Sequence, residues 1–182
     1  MRGSHVSLSP LSSDAFRRCV GEFATGVTVV TAGHEDGPAG MTLNSFTSVS
    51  LNPLLLLVAL GHGSRTLQAV RSAERFAVSV LGRGQRDAAI AFATRGAPFA
   101  ASYVRRDADG FLVVRGAVAA LKCELADAVR AGDHDLAIGR VIAIDHPGGD
   151  PLIFHRGVFG GLVTDAAVPP GHPIGLDEGA GW

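Results

Sequence analysis

The sequence predicts a mainly β protein: a closed or nearly closed antiparallel barrel with a few short helices at its periphery. Three observations carry that expectation. Six or more short segments are either continuously apolar or alternate between apolar and polar residues, as strands do. The helical patterns between them are too few and too irregularly placed for the repeated βα units of a parallel sheet. The 182 residues, 47% of them hydrophobic and with positive mean hydropathy, suffice for one sizeable core and show no internal repeat.

Taken in order, Ser12, Ser13 and Asp14 offer N-caps to a helix in which Phe16, Val20 and Phe23 recur at helical spacing before a stop at Gly26. Val27 to Thr31 is rich in β-branched residues, so with the HEDGP turn and the next strand it makes a hairpin. Met41 to Leu57, MTLNSFTSVSLNPLLLL, is the most distinctive stretch. Read as continuous strand, it puts Thr42, Asn44, Phe46, Ser48 and Ser50 on one face, and Met41, Leu43, Ser45, Thr47, Val49 and Leu51 on the other. A face that only met water would carry more Lys, Glu or Arg. Short uncharged donors and acceptors suit a ligand needing several placed hydrogen bonds.

After the Asn52-Pro53 turn, Leu54 to Leu60 reads as a buried strand. Ser64 follows two glycines and caps a helix with Leu67 and Val70 one turn apart. Phe76 to Leu81 is strand, Ala88 to Thr94 helical, and Phe111 to His146 mostly strand, alternating at Ala117, Ala119, Leu121, Cys123 and Leu125 and again from Leu136 to Ile144. PLIFHRG reads as a last strand. The opening MRGSH resembles a vector-derived leader, so residues 1–9 are set apart from a domain over 10–164 and an irregular Pro/Gly-rich tail over 165–182.

Charged residues make up only 18% of the chain, so part of the surface is expected to be covered by a second subunit, most simply in a homodimer. Sixteen basic against seventeen acidic residues, with no basic run, do not supply the field that holds a nucleic-acid backbone. No apolar run exceeds strand length, so a membrane is not expected either, and the expected location is cytoplasmic. Cys19 and Cys123 lack metal-type spacing and read as small buried hydrophobes; no metal site is expected.

Three clusters could carry chemistry. Ser64-Arg65-Thr66 brings hydroxyls, a guanidinium and free backbone N–H groups to one helix start, an arrangement that suits phosphate and equally suits an ordinary N-cap. His134 shares a strand face with Leu136, Ile138 and Arg140, opposite Asp133 and Asp135. Imidazole and carboxylates then diverge unless a turn intervenes, which disfavours a metal triad or a nucleophilic triad and leaves a histidine that contacts a ligand or positions a hydride donor. His155-Arg156, followed by Gly157 and Phe159, sets a base, a cation and a ring at a strand end, as a nucleotide or ring would need. Gly82-Arg83-Gly84 lacks the setting of a dinucleotide fold, GHGSRT is no nucleophile elbow, and there is no Walker lysine.

Together, FATGVTVVT, MTLNSFTSVSLNPLLLL, SRTLQAV, ERFAVSVL, QRDAAIAFA, GDHDLAIGRV and PLIFHRGVFG resemble, in order and from about Phe16 to Leu162, the short-chain flavin reductase family, the reductase components of two-component flavin monooxygenases. The resemblance implies a split β-barrel of the FMN-binding type and a homodimer that holds FMN or FAD across its interface. It also implies NADH or NADPH as hydride donor and a flavin-dependent monooxygenase as recipient of the reduced flavin. The implied cofactor-binding residues are Met41, Thr42, Leu43, Asn44 and Ser45 at the ring and ribityl edge, Ser48 and Val49 beyond them, and Ala59 and Leu60 beside the ring. Ser64, Arg65 and Thr66 would meet phosphate, Phe92 and Ala93 would lie nearby, and His134, Arg156 and Phe159 would border the nicotinamide side. His134 carries the implied catalytic role, as a positioning or electrostatic group, because the flavin does the chemistry. The family often has a second proline where this chain has Leu54. Two other readings share the polar strand: a flavin- or haem-binding carrier or sensor barrel without nicotinamide turnover, and a reductase or oxidase of an organic substrate that retains its flavin.

Overall fold

The computed structural model describes residues 11–33 and 37–163. The expected leader, the His34–Asp36 part of the hairpin turn and the tail from residue 165 lie outside the described residues. Helix α1 (Ser13–Val20) leads into β1 (Thr25–Gly26), β2 (Thr28–Ala32), β3 (Ala39–Leu43), β4 (Thr47–Leu51) and β5 (Leu54–Gly61). Then come α2 (Arg65–Ala73), β6 (Arg75–Val80), α3 (Arg86–Ala93), a 3-10 turn (Ala101–Tyr103), β7 (Val104–Arg106) and β8 (Leu112–Val114). The long hairpin β9 (Ala119–Ala131) and β10 (His134–Asp145) precedes the short strands β11 (Ile153–His155) and β12 (Val158–Gly160).

The main sheet is antiparallel with seven strands in the order β3-β2-β6-β9-β10-β5-β4. β3 and β4 are its two edges, although only residues 44–46 separate them in sequence. A chain that short can link opposite edges only if the sheet curls and brings them together. The sheet does not close into a continuous hydrogen-bonded ring, and smaller sheets, β1-β11-β12 and β7-β8, complete the split barrel.

The continuous polar strand is therefore corrected. Asn44, Ser45 and Phe46 leave the strand and cross the mouth of the curl. The Ser45 hydroxyl takes over the pairing, accepting from Ala59 N–H at 3.0 Å and reaching Ala59 C=O at 3.2 Å, while Phe46 packs on the core. Alternation persists through the break because both flanking segments are strands, so period alone could not reveal it.

Inside the curl, alternate residues of β5 (Leu56, Val58, Leu60) and β10 (Ala137, Gly139) face Leu67, Ala69 and Val70 of α2 together with Phe76 and Cys123. The register pairs Leu60 with Asp135, Val58 with Ala137 and Leu56 with Gly139. Gly139 lies where a Cβ would sit 2.5 Å from Phe76 Cζ, so the ring and the strand approach only because no side chain intervenes. A second cluster packs Ala89 and Phe92 of α3 against Val29, Leu81, Leu112, Val114 and Leu152.

Several local expectations change. α1 keeps its Ser12 cap, whose hydroxyl accepts from Ala15 N–H, but ends at Gly21 rather than running to Gly26. None of its residues is buried, so no core contact extends it through Phe23. β5 is buried on one face only: its outward Leu55, Leu57 and Ala59 are half-exposed. The last strand is a hairpin, with Arg156 and Gly157 as its turn at φ 48 and 82, the left-handed pair that two-residue hairpin turns require. Cys123 is buried, and that burial pushes its thiol up to about 12; Cys19, by contrast, is exposed on the solvated helix, against the expectation of burial.

Candidate functional site

Residues 44–46 lie between two walls. Ser45 is joined to Ala59 on β5. Exposed Asn44 lines a cleft of about 550 Å³ with Phe23, Phe154, Gly157 and Arg156, floored by Arg17, Arg18 and Glu22 from the α1 end. Arg156 is held there by Glu22, whose Oε2 accepts from its Nε at 2.8 Å and its Nη2 at 2.6 Å, and by its own N–H on the Gly21 carbonyl. The Glu22 carboxylate raises Arg156 above its already high ordinary value, so the guanidinium is a permanent cation.

Beyond Ala59, β5 ends at Gly61, paired with His134 across the sheet; the His134 Nε2 is 3.8 Å from where a Gly61 Cβ would sit. The chain then turns into α2, where the Ser64 hydroxyl accepts from Leu67 N–H at 3.1 Å. That cap leaves the Arg65 and Thr66 N–H groups in a first helical turn that has no intrahelical acceptor for them. Arg65 donates to the Ala97 carbonyl at 3.0 Å, bringing the loop after α3 to the same helix start.

His134 and Asp133 do not diverge, because a turn intervenes. Asp133 sits in the β9–β10 turn and folds back, its Oδ1 2.7 Å from His134 Nδ1, and this hydrogen bond, first among the causes, holds the Asp133 carboxyl below its ordinary value. Asp135 does diverge, into the barrel.

Other predicted residues have occupied or inward side chains. The Thr42 hydroxyl donates to the Ala89 carbonyl of α3 at 2.7 Å. Met41 and Leu43 pack on the core, as does Leu60, so these three can offer a ligand little beyond backbone. Thr66 is almost fully buried. Phe92 belongs to the second core cluster, edge-on to Phe99, whereas Ala93 is exposed. Ser48 pairs opposite Leu56, nearer the start of β5 than Ala59, and Val49 is exposed on the edge strand. Phe159 packs against Phe154, itself a wall of the Asn44 cleft.

Sequence reasoning missed Glu22, Phe23, Arg17 and Arg18, and also His62 and Arg71, which meet Asp135. None has a local motif, and Glu22 reaches Arg156 across 134 positions. A second cleft of about 440 Å³, bordered by Arg75, Arg106 and Phe111, contains none of the predicted site residues. Among the described residues, no cluster of three or more His, Cys, Asp or Glu could hold a metal ion, and no helix is long and apolar enough to cross a membrane.

The side chains present fit a flavin: uncharged donors at Asn44, aromatic walls at Phe23 and Phe154, a fixed cation at Arg156 and a helix start suited to phosphate.

Comparison with known proteins agrees. The flavin reductase like domain matches residues 20–162. A probable flavin reductase of Rhizobium meliloti is 46% identical over 161 residues, 85% of this chain, which spans only 52% of that longer relative. The FMN reductase (NADH) SmoA of Agrobacterium fabrum is 41% identical over 149 residues, covering 82% of this chain and 86% of the relative. The reductase component of a 4-nitrophenol 4-monooxygenase/4-nitrocatechol 2-monooxygenase of Rhodococcus opacus is 38% identical over 157 residues, covering 86% and 84%. Among solved structures, the NADH:FAD oxidoreductase of Streptomyces globisporus C-1027 in complex with NAD and FAD fragments superposes with a TM-score of 0.82 at 37% identity, covering 88% of this chain and 98% of that one. With that match over most of its length and relatives of 38–46% identity, this chain belongs to the flavin reductase like domain family.

Proposed function

We propose that this chain is an NAD(P)H:flavin oxidoreductase that reduces FMN or FAD and supplies the reduced flavin to a partner monooxygenase, within a unit spanning about residues 10–164. The observation that carries the reading is the crossing at residues 44–46: it sets Asn44 in the arginine-bearing cleft and Ser45 on the strand that leads, through Gly61, to the capped start of α2. A ring with a phosphate tail follows that path.

When bound, the flavin supplies the two-electron chemistry, accepting hydride from a reduced nicotinamide. The protein's part is binding and orientation. Asn44, with backbone groups of residues 41–45 and 59–60, is placed to bond the ring's polar edge. The α2 N-terminus, with Ser64, Arg65 and Thr66, faces phosphate, and Arg156 offers positive charge on the nicotinamide side. His134, oriented by Asp133, lies beside Gly61 with its ring half-exposed, where it can position the donor without acting as acid or base. Thr42 serves from behind, fixing α3, and with it Phe92 and Ala93, against β3.

Exposed apolar residues of the sheet suit a homodimer: Val49, Leu51 and Leu54 at the β4–β5 end and Ile142 and Ile144 on β10 are between 44% and 66% exposed, and apolar surface of that kind suits a second copy. A reaction fed by reduced nicotinamide also suits the cytoplasm.

The test is NADH and NADPH consumption by purified protein with no added flavin and with riboflavin, FMN or FAD. Oxidation that requires added flavin supports a reductase that releases it. Turnover without added flavin points instead to a retained flavin, and no turnover with any of them rejects the proposal.

A further inference from the structure

Asp135 immediately follows His134 on β10, but alternation turns its side chain inward with Leu60, Val58 and Ala137, and the carboxylate is only 2% exposed. A carboxylate so placed lowers stability unless its oxygens are matched, and an apolar side chain would continue the inward pattern better. Here each oxygen has a basic side chain beside it. Oδ2 accepts from Nη2 of Arg71 on α2, and Oδ1 lies 2.8 Å from Nε2 of His62, in contact with the ring though without the geometry of a hydrogen bond. Arg71 and His62 are themselves 53% and 30% exposed, so the water-facing partners come to the buried acid.

Those partners sit on the elements that frame the α2 start. His62 is in the Gly61–Ser64 turn, and its N–H also donates to the Asp133 carbonyl of the β9–β10 turn at 3.2 Å. Arg71 anchors the same helix that Ser64 caps. One acid thus ties the turn and the helix to the strand that bears His134.

We infer that Asp135 is a positioning residue for the flavin phosphate: through His62 and Arg71 it fixes the Gly61–Ser64 turn and the first turn of α2 in the orientation that presents the Arg65 and Thr66 N–H groups to phosphate. The inference rests on the flavin reading above. Asp135 itself, under the helix, touches no ligand. Its loss is therefore felt by flavins that carry phosphate and not by the ring.

The experiment is flavin-fluorescence titration of FMN and of riboflavin, which lacks the phosphate, into wild type, Asp135→Asn, His62→Ala and Arg71→Met, with thermal melts to confirm folding. Asp135→Asn is expected to weaken FMN about tenfold, equivalent to about 1.4 kcal/mol, while riboflavin affinity stays within about twofold; His62→Ala and Arg71→Met shift in the same sense by less. If Asp135→Asn does not fold, the other two variants, changed at partly exposed side chains, decide the matter. Equal losses for both flavins, or an unchanged preference for FMN in folded variants, overturn the inference while leaving the flavin reading intact. A wild type that binds FMN no better than riboflavin overturns the phosphate role, and one that binds neither overturns the flavin reading itself.

Discussion

Replacing Ser45 with alanine tests how the barrel's mouth is held. The hydroxyl is the link by which the 44–46 crossing grips β5, with two contacts to Ala59 at 3.0 and 3.2 Å. Its removal forfeits two hydrogen bonds with a net value of about 1 kcal/mol each, and the half-buried Ala59 amide keeps no protein partner, so the total is about 2 kcal/mol. In a domain of this size that lowers Tm by about 4–8 °C. Urea unfolding should show a lower midpoint with unchanged slope. Ser45→Thr keeps the hydroxyl and should recover most of the loss, whereas Ser50→Ala, at an exposed bond to Asn52 N–H, should stay within about 0.5 kcal/mol. A Ser45→Ala change as small as that of Ser50→Ala would refute the claim that this side chain replaces a ladder bond.

Three further outcomes follow from the same structure. Gly139→Ala drives a methyl to 2.5 Å from Phe76 Cζ and 2.9 Å from Cys123 Cβ, so it should destabilise by about 3 kcal/mol in chemical denaturation, with partial recovery in the Phe76→Leu background. Asp107 feels burial, which raises its pKa, but the hydrogen bond and charge of Lys122 and the Phe111 and Asp109 amides more than offset this and hold it below 3.8. A depressed carboxyl stabilises the fold above its unfolded value and loses that contribution as pH falls through its folded value. Lys122, raised above 10.5 chiefly by Asp107, stabilises below 10.5 and loses its contribution as pH rises through its folded value. Asp107→Asn should therefore lower the urea midpoint at neutral pH and flatten its fall below about pH 4, since the unfolded carboxyl titrates there. Finally, His134→Ala should slow flavin reduction about tenfold or more in single-turnover mixing while changing flavin affinity far less, since the ring borders the donor side; an unchanged reduction rate removes its assigned role.

Features that depend on near neighbours were legible in the sequence. Ser64 caps α2, Leu67 and Val70 are buried one turn apart, and the alternation of β10 puts His134 and Asp135 on opposite faces. What was not legible depends on residues meeting across the fold. The strand break at Asn44 follows from Ser45 finding Ala59, Arg156 is set by Glu22, and Asp135 by Arg71 across 64 positions. Asp133 follows the alternative that the alternation leaves open: it belongs to a turn, where the two-residue period of a strand does not apply. Cys19 was misread because α1 has an apolar stripe and yet buries none of it.

The proposed activity brings a reduced nicotinamide and a flavin together for hydride transfer. Anaerobic rapid mixing of NADH with FMN or FAD, with and without the protein, measures that directly. The visible flavin band should bleach far faster with protein present, at a rate that saturates with NADH. Bleaching no faster than in the protein-free control, for both flavins and for NADPH as well, would contradict it.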